Sequence, residues 1–205
     1  MASKSIRESK EKQPYHHGDL RAALIAAALK LIDQHGVKGF TLKDAARIAG
    51  VSIAAPYRHF ADKEALLLAI QQEGFAAFAA ALAASRDPAA TPKDQLIELG
   101  VDYLHFALSY PAHIQVMFGM VGGPKPQQPQ QAPAGMTGYE LLVGAVTALD
   151  PQVPEDLQHD LVLACWSIVH GFAMLQLDGA LEATGSTGDP ESQLRRMLAR
   201  LLANN

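Results

Sequence analysis

One cysteine, Cys165, occurs in the 205-residue chain, so no disulfide can form within it and packing alone must hold the fold. Long hydrophobic runs are missing: no window reaches the roughly 18 uninterrupted apolar residues that a membrane span needs. The opening stretch, MASKSIRESKEKQPYHH, is polar and lacks the apolar core of a secretory signal. No segment alternates polar and apolar residues as a half-buried strand would. A nucleophile motif, a phosphate-cradling glycine loop and paired carboxylates in an evident pocket are all absent. His16 and His17 adjoin each other with no acidic or cysteine partner at ligand spacing, which argues against a metal site. Cys165 lies in an apolar run, where a thiol is buried and inert. The expectation is a cytoplasmic protein with no membrane partner, no cofactor, no bound metal and no catalytic role.

Acidic charge prevails in total, yet not everywhere. The chain carries −4, but residues 1–65 hold eleven Lys/Arg against seven Asp/Glu, which leaves that segment at +4 and the remainder at −8. A basic segment joined to an acidic one is the asymmetry expected when one part alone meets phosphate.

Apolar residues recur at helical spacing throughout, so the fold class is all-α. Residues 1–16 read as a flexible arm, in which Lys4, Arg7, Lys10 and Lys12 have the charge to enter a flanking minor groove or simply to stay solvated. A first helix spans about 19–35, with Gly36 as its stop. Thr41 caps a second helix that ends near Ala49, and Ser52 caps a third reaching Phe60. Asp62 caps a long fourth helix from Lys63 to Ala84. Further helices are expected from Lys93 to Ser109, after Pro111, and over 139–149, 155–181 and 191–203. The stretch 119–138 is rich in Gly, Pro and Gln and reads as a loop. The domains follow: arm 1–16, DNA-binding domain 17–62, and a sensing and dimerisation domain 63–205.

The informative stretch is FTLKDAARIAGVSIAAPYRHF, residues 40–60. Two short helices joined by a Gly-containing turn must cross steeply, which needs small residues at the contact; Ala45, Ala46 and Ala49 supply them. Leu42, Ile48 and Phe60 are expected to face the first helix, holding the third out as a rod for a major groove about 12 Å wide. Ile53, Ala54, Ala55 and Pro56 would face base edges, yet they offer no bidentate hydrogen-bonding groups. Contact with thymine methyls and shape readout are what remain to them.

From Tyr15 to Phe78 the chain resembles the DNA-binding domain of the TetR family of transcription regulators. The resemblance is carried by HGVKGFTLKDAARIAGVS, then PYRHFADKEALL, then a long helix. WSIVHG at 166–171 and YHHGDLR near the start are similar to one branch of that family, named for the Trp, His and Gly of its C-terminal domain. The resemblance implies that Thr41, Tyr57 and Lys63 hold DNA phosphates, roles that suit a helix-start hydroxyl, a phenol and an ammonium. Ser52 and Lys43 are further phosphate candidates. Arg58 can reach phosphate or guanine, and His59 is either a contact or a packing residue.

The helix over 155–181 is apolar nearly all round and must be covered on both sides. One stripe (Leu157, Leu161, Ala164, Ile168, Phe172, Leu175) is assigned to its own domain and the other (Val162, Trp166, Val169, Ala173, Leu177) to a second copy, or the reverse. The last helix carries Leu194, Met197, Leu198, Leu201 and Leu202 on one face, with Arg195, Arg196 and Arg200 away from it. Two such helices per chain suit a four-helix homodimer seam, as in the resembled family. That family's C-terminal domain usually holds a small apolar effector. Tyr103, Phe106, Met117, Phe118, Trp166, His170 and Met174 are the candidates to line a pocket, or else plain core.

The implied function is a homodimeric repressor that an effector releases from a pseudo-palindromic operator in double-stranded DNA. A helical interaction protein whose DNA-binding head has lapsed is the alternative kept alive by the apolar Ile53-Ala54-Ala55, and an enzyme is a more distant one.

Overall fold

The computed structural model describes residues 20–84, 86–118, 137–185 and 188–204. The arm with Lys4, Arg7, Lys10, Lys12, His16 and His17, and residues 119–136 of the expected loop, lie outside them. Among the described residues there are helices and turns and no strand. The helices are α1 (Leu20–His35), α2 (Leu42–Ile48), α3 (Lys63–Ala84), α4 (Pro92–Ser109), α5 (Pro111–Met117), α6 (Gly138–Leu149), α7 (Glu155–Leu177), α8 (Ala180–Ala183) and α9 (Pro190–Leu201).

Starts are set by the residues the chain spends on them. Thr41 and Asp44 form a reciprocal capping box at α2, and Thr137 and Glu140 form another at α6. Thr91 and Asp189 accept from the backbone amides of Asp94 and Ser192, and Asp62 accepts from Ala65 at 2.8 Å. Pro92, Pro111 and Pro190 occupy first turns, where a missing amide costs nothing. Thr137 and Gly138, expected in the loop, instead begin α6. A Cβ on Gly138 would stand 2.5 Å from Phe78 Cε1, so glycine permits the close approach of α6 to α3.

Among the described residues there are two large cores, one in the head and one in the body, and a smaller third formed by Leu96, Val146, Val162, Cys165 and Leu202. The head core joins Leu24, Ala28, Leu31 and Ile32 of α1 to Leu42, Ala45, Phe60 and the first turns of α3. The body core joins Phe78 and Leu82 of α3 to Tyr103, Leu104, Phe172, Ala173, Leu194 and Leu198. The seven-residue α5 serves both: Ala112 and Val116 belong to the head core, Ile114 and Met117 to the body core. Gln71, a buried polar side chain of α3, donates to the carbonyls of Val116 (3.3 Å) and Met117 (3.2 Å) and so satisfies the end of α5.

Several expectations change. The helix foreseen over 155–181 stops at Leu177, because Gly179 takes φ +68° and turns the chain into the short α8. Neither stripe of α7 is buried as a unit: Val162, Val169 and Ala173 of one and Phe172 of the other are buried with Cys165, while Trp166 of the first, Leu157 and Leu175 of the second, and Leu163 stand exposed. Arg195, expected away from the apolar face of the last helix, forms a two-pronged ion pair with Glu98 of α4 and a second bond to Glu191. That pairing holds Glu98 below the usual carboxylate range and raises Arg195 further. By length and composition α3 and α7 could each cross a membrane, but α3 is the shared strut of both cores and α7 packs against α4, α6 and α9.

Candidate functional site

The tip of the head is built by residues 40–63. Thr41 anchors it: its amide and hydroxyl donate to Asp44 Oδ2 at 3.0 and 2.6 Å, and its hydroxyl accepts from the Asp44 amide. Those bonds from Thr41, with help from Arg47 at 2.7 Å, hold the Asp44 carboxyl below its ordinary range. Ala45 and Ala46 are fully buried against α1, and Gly50 turns the chain at φ +70°, as their sizes foretell.

The third helix of the head is the main correction. Residues 53–55 form turns, and the single helical element is a 3-10 turn, Pro56–Arg58. The cause is local. Proline at 56 has no amide to donate to the Ser52 carbonyl, so a helix capped by Ser52 would lack its first i→i−4 bond; Ala55 itself keeps a helical backbone at φ −62°, ψ −41°. Ser52 makes no side-chain cap; its carbonyl accepts from the Ala55 amide at 2.9 Å. Pro56 itself is buried beside Phe60 and cannot meet a base edge. Ile48, assigned to the core, is 46 % exposed at the end of α2.

What remains outward forms one surface. Ser52, Ile53, Ala54, Tyr57, Arg58 and His59 are exposed and Ala55 is half-buried. Thr41 and Lys43 are exposed at the start of α2. Lys63 is half-buried at the start of α3; its ammonium donates to the Phe40 carbonyl at 2.8 Å and lies 4.2 Å from the Phe40 ring centroid. Burial lowers its pKa from the ordinary lysine value. Phe40 therefore orients Lys63 beside the Thr41 cap, a role that sequence reading missed, because a backbone carbonyl leaves no mark in a sequence. Arg21, also missed, bridges α1 to Glu73 of α3 and lies over the Phe60 ring at 5.7 Å, bracing the head.

In the body, the candidate pocket residues meet as a set of rings. The Tyr103 hydroxyl lies 2.6 Å from His170 Nδ1. Burial raises the Tyr103 pKa and lowers that of His170, and the imidazole tautomer sets which of the two donates. Phe118 stacks at 4.8 Å from His170 and 6.3 Å from Tyr103, and Trp166 lies 6.5 Å from Phe118. Phe106 and Met117 are buried, while Met174 is half-buried and Trp166 is 37 % exposed. These side chains pack on one another. A groove of about 360 Å3 runs instead between head and body, bounded by His35, Lys38, Pro111, Ile114, Met174 and Leu177.

A head of packed short helices with an exposed turn and cationic margins, joined to a helical body by a shared strut, defines a helix-turn-helix regulator. The family models agree. Residues 24–70 match the model described as bacterial regulatory proteins, tetR family, and residues 96–201 match the tetracyclin repressor-like C-terminal domain. This chain belongs to the TetR family, whose members are DNA-binding transcriptional regulators.

It is similar to a protein of unknown function from Rhodococcus sp. RHA1, with 31 % identity, a TM-score of 0.72, and coverage of 94 % of this chain and 100 % of that one. TetR from Acinetobacter baumannii AYE shares the fold at TM-score 0.65 and 20 % identity, over 89 % of this chain and 94 % of that one. Among curated relatives, the HTH-type transcriptional regulator BetI of Rhizobium meliloti is 35 % identical over 79 residues, 38 % of this chain and 39 % of that protein. BetI of Agrobacterium fabrum is 48 % identical over 48 residues, 23 % of each chain. The match thus spans two fifths or less of those curated relatives.

Proposed function

We propose that this protein is a homodimeric repressor that binds a pseudo-palindromic operator through residues 40–63 and is released by a small apolar effector held in its C-terminal domain. The observation that carries the DNA half is that the segment 40–63 leaves the Thr41 cap and Tyr57 exposed and holds the Lys63 ammonium on the Phe40 carbonyl, next to Thr41 in the chain. A capped helix start, a phenol and an ammonium in one segment are suited to successive phosphates. Lys43, Ser52, Arg58 and His59 are further exposed polar or cationic groups of that segment, and Ile53, Ala54 and Ala55 are its apolar part. The protein works in the cytoplasm without a catalytic role.

The dimer is supported by the outward face of α7, where Leu163, Trp166 and Leu175 are exposed, with Met197 of α9 also exposed. Only 28 % of the most apolar window of α7 is buried within the protomer, and an apolar surface of that kind calls for cover. Gly171, with open space where a Cβ would stand, lets a second backbone approach. A twofold arrangement of heads would set them one DNA turn apart, about 34–36 Å. The domain division we favour is a reading head over 17–62 and a sensing body over 63–205, with α5 seated in both cores.

The effector reading rests on Tyr103, Phe106, Met117, Phe118, Trp166, His170 and Met174, a ring cluster with one hydrogen-bonding pair at its centre. Trp166, His170 and Gly171 on α7 also support the branch named for those three residues. A ligand parting these rings would shift Met117, and with it α5 and the head. A differential affinity of about 1–3 kcal/mol would change operator binding some 5–150-fold.

Selection of genome fragments with the purified full-length protein, followed by titration of the enriched duplex at two salt concentrations, tests this function. A palindromic site whose affinity falls steeply with salt is the expected result. Binding that is weak and indifferent to sequence would refute it and favour the protein-interaction alternative.

A further inference from the structure

We propose that the head reads the C5-methyl groups of pyrimidines in its operator, so that it discriminates thymine from uracil and responds to methylation of cytosine. This rests on the DNA-binding reading above and specifies what that surface recognises.

The segment read as the DNA face carries apolar groups where a base reader ordinarily carries amides or guanidinium groups. From Val51 to Pro56 the hydroxyl of Ser52 is the sole polar side-chain group. Pro56 is buried and Ala55 half-buried, which leaves Ile53, 54 % exposed, and Ala54 as the outward pair. Ile48, 46 % exposed on α2, extends the apolar area. An isoleucine left in water at the tip of a head is an unfavourable arrangement unless something covers it.

Charge complementarity selects the cover. Within the same segment, 40–63, Lys43, Arg58 and His59 are exposed and Lys63 is half-buried, and the segment belongs to the basic N-terminal part of a chain that is otherwise acidic. A polyanion with apolar groups between its charged rails matches that layout. In the DNA major groove those groups are the C5-methyls. Thymine and 5-methylcytosine carry one; uracil and cytosine do not. A side chain that recognises the methyl and makes no hydrogen bond to the 4-substituent responds to its presence on either base.

The test uses the full-length protein and the duplex enriched by fragment selection, prepared in matched versions. In one pair, half-site thymines are kept or replaced by uracil. In a second pair, the thymine-adenine steps that lose affinity with uracil become cytosine-guanine, with the cytosine unmodified or 5-methylated. Removal of each contacted methyl is expected to weaken binding about fourfold, the worth of one buried methyl-sized group. The 5-methylcytosine duplex should regain about fourfold over its unmodified counterpart. The double variant I53A/A54G, altered at surface positions alone and checked for an unchanged helical spectrum, should lose the preference for thymine over uracil while keeping its salt dependence. Equal affinity for thymine and uracil duplexes, equal affinity for cytosine and 5-methylcytosine duplexes, or a thymine preference that survives in the double variant would each overturn the proposal. Failure to enrich any salt-sensitive duplex would instead remove the regulator function itself, and methyl reading with it.

Discussion

Replacing Gln71 with leucine removes the clasp between α3 and the end of α5 while leaving the packed volume nearly unchanged. The native amide donates to two carbonyls, those of Val116 at 3.3 Å and Met117 at 3.2 Å, from a side chain that is 4 % exposed. A net contribution of about 0.5–1.5 kcal/mol per neutral bond, with up to about 1–3 kcal/mol for a buried acceptor left bare, puts the loss near 2–3 kcal/mol. For a chain of this size each kcal/mol moves the melting midpoint by roughly 2–4 °C, so a fall of about 4–12 °C is expected. Thermal unfolding followed by circular dichroism measures it, at one fixed protein concentration because dimerisation feeds into the midpoint. Gln71→Glu supplies the control of sign. A carboxylate can only accept, so facing two carbonyls it should destabilise more than leucine near neutral pH and recover on acidification as it gains a donor proton. A Gln71→Leu protein melting within about 1 °C of the parent would refute the clasp, since no bond of this worth could then be present.

Lys63→Gln should weaken operator binding by a similar factor for every duplex and flatten the salt dependence by about one unit per half-site, read by titration at several salt concentrations. Leu163→Glu on the exposed face of α7 should convert the dimer to monomers in sedimentation equilibrium; an unchanged dimer would place the seam elsewhere. Gly100→Ala would bring a Cβ to 2.6 Å from Leu198 Cδ1 and 3.1 Å from Val169 Cγ2. The overpacking should cost about 1–3 kcal/mol in denaturant unfolding, and tolerance without loss would contradict the close approach of α4 to α9 and α7. Acid sensitivity has a definite sign. Burial lowers the pKa of His113 and His170 from 6.5, so below that value the unfolded chain binds protons that the folded one refuses. Stability should therefore be full above pH 6.5 and decline as pH falls towards the depressed folded values, and a H113F/H170F variant should show a shallower decline in melting midpoint between about pH 7 and pH 5.

Much of this architecture is written in local chemistry. Thr41, Thr91 and Asp62 are capping residues wherever they stand before a helix-forming run, and they begin α2, α4 and α3. Gly36 and Gly50 adopt positive φ at the turns where a reader of the sequence would put them. The small Ala45 and Ala46 announce a close helix crossing, and both are fully buried. The motif stretching from HGVKGF to DKEALL sufficed to name the family, because steep packing of short helices restricts residue size and turn chemistry at fixed spacing.

Other features belong to the tertiary structure alone. Which residues of the two α7 stripes face inward depends on what α4, α6 and α9 offer them. Both stripes are apolar, so their sequence carries no sign of direction, and the protomer buries Val162, Val169 and Ala173. Glu98, which Arg195 grips besides its helical neighbour Glu191, and the Phe40 carbonyl that holds Lys63 lie 97 and 23 residues away, beyond the reach of any helical periodicity. The turn at 52–58 shows the competition between levels. Its residues read as a short helix by position in the motif, but Pro56 withholds a backbone donor and is drawn into the head core, leaving Ile53 and Ala54 outside. The division of α5 between two cores is likewise invisible in PAHIQVM. Those seven residues state only that two faces are apolar, and the molecule's fold alone sets one against the head and the other against the body.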